Sequence, residues 1–201
     1  MAQPVAAERL LATDVSAKAR ILGAALELFA ERGVDATPMR TVATAAGVTV
    51  GLIVHHYGTK EALREAVELA IVSQFAAAIA SVPLGGCPPE QLTGARDRAV
   101  AQMLAADPSL VDYLRRALLD SSTEHGGLVS RLSQLSAQQV HELREAGIIS
   151  TKHTIGEQVI AIMVRQLGRL FLQPLIDRIG NEFADDLEGR ELPQLVVTVT
   201  R

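Results

Sequence analysis

Apolar positions recur at three- and four-residue intervals along most of the chain, and few segments alternate with period two. That pattern predicts helices and not strands. A first helix should start near Ser16, a good N-cap, with residues 1–15 as a loose tail. Its inward stripe is Ile21, Ala25, Leu28 and Phe29, and Gly33 ends it. Thr37-Pro38 marks a second start, with Thr as cap and Pro in the first turn. This helix is brief, with Val42 and Ala45 inward, and Gly47 supplies the permissive backbone of a tight turn. Thr49 caps a third short helix that Gly58 stops. Thr59 caps a fourth, which runs through Leu63, Val67, Ala70, Ile71 and Phe75 to about Ala80.

The stretch SVPLGGCPPE is the strongest break in the pattern. Beyond it the spacing predicts helices near 89–106, 108–120, 125–146 and 154–173, with a further turn to about Gly180. Asp107-Pro108 and Gln173-Pro174 should interrupt or kink them. The helix at 154–173 carries two apolar stripes. Ile155, Val159, Ile162 and Leu170 form one, and Ile160, Val164, Leu167 and Phe171 the other. Gln158, Arg165 and Arg169 leave only a narrow polar strip, so one side can join a core while the other meets a partner chain, unless the helix is wholly internal. Gly168 could permit close helix approach. The final LPQLVVTVTR has strand-like composition and no partner strand, which suggests that 190–201 is disordered or pinned to a neighbour.

Composition sharpens this to an all-α fold. Hydrophobic residues make up 48% and aromatics 3%, so the core must be Leu, Ile, Val and Ala, of which Leu and Ala favour helix. No uninterrupted apolar run reaches about 18 residues, so nothing reads as a membrane span. The N-terminal stretch lacks the basic-then-apolar order of a secretion signal. The one cysteine, Cys87, excludes an internal disulfide and suits a reducing cytoplasm; a redox sensor is the alternative, disfavoured because no Lys, Arg or His is adjacent to lower its pKa. The net charge of −4 is unevenly spread. Residues 1–60 carry six basic and five acidic groups, and residues 61–201 carry thirteen and eighteen. The first part could therefore approach a polyanion although the whole chain is acidic.

The adjacent His55 and His56 raise three chemistries. A metal site fits poorly, because neighbouring helical residues point about 100° apart and no Cys pair assists. Catalysis fits poorly too. There is no nucleophile elbow, phosphate loop or dinucleotide fingerprint, and HELRE at His141–Glu145 has Glu145 where a zinc-protease helix needs its second His. No enzyme, metal or cofactor is implied. The third reading is a helix-turn-helix, whose second helix enters the major groove while helix N-termini and basic side chains hold phosphates. The turn alone fits that reading and a plain helical hairpin with surface histidines equally well.

A longer pattern favours the first. From about Ala17 to Val67 the chain resembles the TetR family of bacterial transcription regulators. The carrying stretch is ILGAALELFAERGVDATPMRTVATAAGVTVGLIVHHYGTKEAL. The matched features are Ala25, Leu28-Phe29, Gly33, Thr37, Val42-Ala43, Ala46-Gly47-Val48, Gly51, Tyr57 and Lys60-Glu61-x-Leu63. Two positions depart: Val54 stands where the family commonly has Tyr, removing one usual phosphate contact, and Tyr57 stands where it has Phe.

The resemblance implies a DNA-binding domain over 1–60, with the start of a connecting helix at 59–80, and an effector-binding and dimerisation domain over 61–201. Arg40 resembles a base- or phosphate-contacting position. Thr37 and Thr49 would cap helices and face phosphates. Val50, Gly51 and Leu52 open the recognition helix, where apolar groups can touch thymine methyls and Gly51 lets the backbone come close, while Ile53 turns inward. His55 would lie near bases and His56 near the backbone, with Tyr57 as aromatic anchor. Lys60 would meet phosphate as a point charge, with Lys18 and Arg20 as weaker candidates. So few basic groups imply that two copies act together.

The same resemblance implies a homodimer through helix 154–173 and the neighbouring C-terminal helix, double-stranded DNA with a palindromic operator as partner, and an unknown small-molecule effector. Met103, Tyr113, Gln139, Met163, Leu167 and Phe171 are candidate effector-lining residues, although core packing explains each as well. The expected function is a cytoplasmic, effector-released repressor. The rivals are a helical small-molecule-binding protein with a degenerate DNA module, and a helical enzyme.

Overall fold

The computed structural model describes residues 6–119 and 127–183, with side chains from Ser16 onward. Among the described residues there are eight α-helices and no strand, which is the all-α fold that the periodicity predicts. They are α1 (Ala6–Arg32), α2 (Met39–Ala46), α3 (Val50–Tyr57), α4 (Lys60–Ala80), α5 (Pro89–Ala106), α6 (Pro108–Leu119), α7 (Leu128–Glu145) and α8 (Ile155–Glu182). The segment 190–201 lies outside the described residues.

Four local expectations are corrected. The first helix begins at Ala6 and not near Ser16. Ala, Leu, Glu and Arg dominate the stretch before Ser16 and favour helix, so the serine sits inside α1, where its hydroxyl accepts from Arg20 at 3.0 Å. Thr37 does not cap α2. Pro38 occupies the N-cap, and the fully buried Thr37 hydroxyl donates to the carbonyl of Gly33 at 2.7 Å, with that of Leu28 at 3.3 Å. Ala45 is exposed; Val42, Ala43 and Ala46 form the inward face of α2. At Gln173-Pro174, α8 is not interrupted: Pro174 lies inside the helix with its side chain exposed.

The chain divides into two compact units, each built from two separate stretches of sequence. One unit is Met1–Gln74 with Leu104–Leu128; the other is Phe75–Met103 with Val129–Arg201. Helix α4 passes from the first to the second. Helix α6, although downstream in sequence, packs on α1 in the first unit. The core of that unit includes Ile21, Ala25, Phe29, Val42, Ile53, Leu63, Val67, Leu110 and Leu114, all buried. Arg116 of α6 donates to the carbonyls of Ala30 at 3.2 Å and Glu31 at 3.0 Å, satisfying acceptors that the end of α1 leaves open.

In the second unit, polar pairs hold the helices. The buried Arg96 donates to the Val82 carbonyl at 3.0 Å and pairs with Glu142 at 3.0 Å. Arg165 ties α8 to Asp97 of α5 at 2.9 Å, and Arg144 of α7 donates to Gln158 of α8 at 2.8 Å. Thr154 and Glu157 cap the start of α8 reciprocally. Of α8 itself only Leu170 and Gly180 are buried. Contrary to the sequence expectation, α8 is long and apolar enough to cross a membrane by length and composition alone, as the core helix of a soluble protein also can be.

Candidate nucleic-acid interface

Local chemistry builds the helix-turn-helix. Gly47 adopts the left-handed conformation at φ 64°, and the Val48 N–H reaches back to the Ala43 carbonyl at 3.0 Å, closing the end of α2. Two residues on, the Thr49 hydroxyl accepts from the Leu52 N–H at 3.2 Å and starts α3. The hydroxyl proton of Thr49 remains to donate outward. Gly58, at φ 74°, ends α3, and Thr59 then caps α4 by accepting from the Ala62 N–H at 3.1 Å. Arg20 of α1 donates to the Ala46 carbonyl at 3.1 Å, so α1 grips the end of α2 immediately before the turn.

At about 100° per residue, α3 has two distinct sides. Val50, Gly51, Val54 and His55 lie within one arc and are all exposed; Leu52, Ile53, His56 and Tyr57 fill the other and are buried or half-buried. The two histidines are thus separated. His55 faces out, while His56 is half-buried with its ring edge-on to both His55 (5.2 Å between centroids) and Tyr57 (6.2 Å). The Tyr57 hydroxyl lies 3.5 Å from the Lys18 carbonyl, so the aromatic residue joins the end of α3 to α1. Arg40 is exposed on the first turn of α2, and Thr44, one turn on, is exposed too and donates to the Arg40 carbonyl at 3.0 Å.

Other candidates are arranged differently from the sequence reading. Thr37 is buried, so its hydroxyl is not available to phosphate. The Lys60 ammonium donates to the carbonyls of Val34 at 3.0 Å and Asp35 at 3.2 Å. Two of its three N–H groups are therefore engaged with the turn between α1 and α2, and the third is left for the phosphate contact expected of it. Val54, set aside in sequence for lacking a hydroxyl, sits among the outward residues, and its spacing of four from Val50 was the available signal. Thr44 bears the same spacing to Arg40.

Sequence reasoning also missed a buried cluster behind this surface. Glu68 of α4 is almost wholly buried; its Oε1 accepts from Arg64 at 2.8 Å and from the Tyr113 hydroxyl at 3.4 Å. Burial first, and the Glu68 carboxylate second, push the Tyr113 phenol well above its ordinary value, with Arg64 pulling the other way. Tyr113 is thus engaged inside the first unit. The other residues considered for an effector lie in the second: Met103, Gln139, Met163 and Leu167 are half-buried, and Phe171 is exposed. Ser136 donates to the Met163 sulfur at 3.6 Å.

Comparison with known proteins agrees with this geometry. Residues 21–67 match the family model of bacterial regulatory proteins of the tetR family. The HTH-type transcriptional regulatory protein RaaS of Mycobacterium tuberculosis is 47% identical over 53 residues, which is 26% of this chain and 24% of that protein. The matched segment thus spans about a quarter of the length of this curated relative. A tetR family transcription regulator from Shewanella sp. PV-4 superposes with TM-score 0.66 at 20% identity, covering 86% of this chain and 89% of that one. A gamma-butyrolactone receptor, described as ArpA-like, superposes with TM-score 0.61 at 17% identity over 88% and 89% of the two chains. The two superpositions extend the likeness in fold, though not in sequence, well beyond the helix-turn-helix. With its capped recognition helix and its matched segment, the chain carries over residues 21–67 the DNA-binding segment of the tetR family of bacterial regulatory proteins, within a fold shared with solved tetR regulators.

Proposed function

We propose that this chain is a cytoplasmic, sequence-specific DNA-binding repressor that acts as a homodimer on a palindromic operator and is released by a small-molecule effector. The observation that carries the reading is the outward side of α3. Thr49 fixes its start, Gly47 turns the chain into it, and Val50, Gly51, Val54 and His55 are left facing solvent, as is Arg40 on α2. A short helix held rigidly with such a face fits the major groove.

The homodimer is supported by α8. Ile160, Val164, Leu167, Phe171 and Leu175 follow one another at intervals of four, three, four and four, which keeps them on one side. All but the half-buried Leu167 are exposed. An apolar seam of this length suits a second copy of the same helix. Two-fold symmetry then presents two recognition helices to successive major grooves.

Effector control is supported by the family and by the fold shared with a gamma-butyrolactone receptor. The effector would favour a state whose recognition helices no longer match the groove spacing, so affinity falls through differential binding to two states. Half-buried Met103, Gln139, Met163 and Leu167 are the residues to examine for it.

The test is a mobility shift with duplex DNA from upstream of the chain's own gene and with duplexes selected from a random pool. A retarded complex on a two-fold symmetric site is expected. No complex with either DNA source would leave the small-molecule carrier as the better reading.

A further inference from the structure

We infer that Val50 and Val54 together read thymine 5-methyl groups, so that each operator half-site carries thymines under the first turns of α3. This rests on the DNA-binding reading above and specifies which base chemistry the surface recognises.

Large apolar side chains on a short helix normally turn into the core. Ile53 does so and is fully buried. Val50 and Val54 do not: they are 36% and 48% exposed, one turn apart on the same side of α3. Neither has a polar atom, so neither can grip a phosphate or satisfy a base donor or acceptor. Pressed against a guanine or cytosine edge, a valine would desolvate base groups without replacing their hydrogen bonds. Of the groups displayed in the major groove, the thymine methyl is the apolar one. The surface chemistry therefore selects thymine and disfavours G·C pairs at the same places.

Stiffness adds precision. A β-branched side chain in a helix holds one strongly preferred rotamer, so its methyls stay in fixed positions. Gly51 lies beside the two valines on the exposed arc, between Val54 and His55, and a Cβ there would meet only the Thr49 hydroxyl oxygen, at 3.9 Å. The missing side chain leaves a notch next to the valines, so that they can approach the base edges. The two positions are separated by roughly 6 Å along the helix. That spans about two base steps at ~3.4 Å each, so the thymines should fall close together. His55, at the far edge of the arc, is left to donate or accept beside them.

The experiment uses the full chain and the tightest duplex selected from a random pool. Each thymidine is replaced singly by deoxyuridine, which removes the 5-methyl group and keeps base pairing. Two positions per half-site should each lose roughly three- to five-fold in affinity, the value of one buried methyl-sized group. At one such position the penalty should vanish in Val54→Ala, and at another in Val50→Ala, both variants keeping wild-type circular dichroism. Unchanged affinity for every uridine duplex overturns the inference, as does a uridine penalty of the same size in wild type and both variants. Failure to select any duplex overturns the DNA-binding reading and this inference with it; selection without a methyl effect overturns this inference alone.

Discussion

The ammonium of Lys60, on the first turn of α4, lies 3.0 Å from the carbonyl oxygen of Val34, in the turn that follows α1. This contact and its companion to Asp35 join the two ends of the helix-turn-helix across about 25 residues of sequence. Lys60 thus ties the start of α4 to the turn that precedes α2. Lys60→Met should lower unfolding stability by about 1–2 kcal/mol, the scale of a half-exposed hydrogen bond from a charged group. It should weaken DNA binding while leaving the salt dependence of affinity unchanged. A phosphate contact would instead lower the slope of log affinity against log salt by about 0.9. Denaturant melts and a salt titration of the mobility shift distinguish the two.

Thr37 should behave as a core residue. Thr37→Val keeps the shape but removes the donor to Gly33, so stability should fall by about 1–2 kcal/mol with the salt slope of DNA binding intact. Thr37→Ser should recover part of the loss, which denaturant melts can read.

The buried Tyr113 predicts an alkaline limb of instability. Its pKa is raised in the folded state, so the fold holds the phenol proton more tightly than the unfolded chain does. Below about pH 10 both states are protonated and this residue contributes no slope. Above that value the unfolded chain binds fewer protons, and stability falls by up to about 1.4 kcal/mol per pH unit. Tyr113→Phe should flatten this limb and lose the bond to Glu68. Urea melts between pH 9 and pH 11 provide the check.

Arg40 should carry base or phosphate recognition at the start of α2. Arg40→Ala should leave folding unchanged because the side chain is exposed. If it pairs with guanine, specificity at one position should relax by about 1–3 kcal/mol. If it holds phosphate, all sequences should weaken alike and the salt slope should fall. Affinities for the selected duplex and its single-base variants separate these outcomes.

The seam on α8 gives a hydrodynamic prediction. Val164→Glu places a carboxylate in the proposed apolar interface, where burying it unpaired costs several kcal/mol. The wild-type chain should elute as a dimer and the variant as a monomer with unchanged helical content. Size-exclusion chromatography with light scattering reads the result; a monomeric wild type would remove the interface.

Much of the first unit was legible because its signals are local. Capping hydroxyls at Thr49 and Thr59, and positive-φ glycines at 47 and 58, act within four residues of themselves. Helix positions between them followed directly. The start of α1 was misread because Ser16 is a good cap by type, yet the helix-forming residues before it continue the helix. Effector-lining residues were the least legible. Met, Gln and aromatic side chains fill gaps in any helical core, and nothing in their spacing separates a cavity wall from ordinary packing.

By itself, then, the sequence determined the helix class, the turn of the helix-turn-helix and the order of polar and apolar positions on each helix, because these depend on neighbours a few residues away. Tertiary structure alone decided which acceptor Lys60 finds, that Thr37 turns inward, that Glu68 meets Tyr113, and that Val54 faces solvent. Periodicity fixes the angles between side chains on a helix, but the helix's rotation about its own axis is set only when its apolar side is chosen against partners distant in the chain.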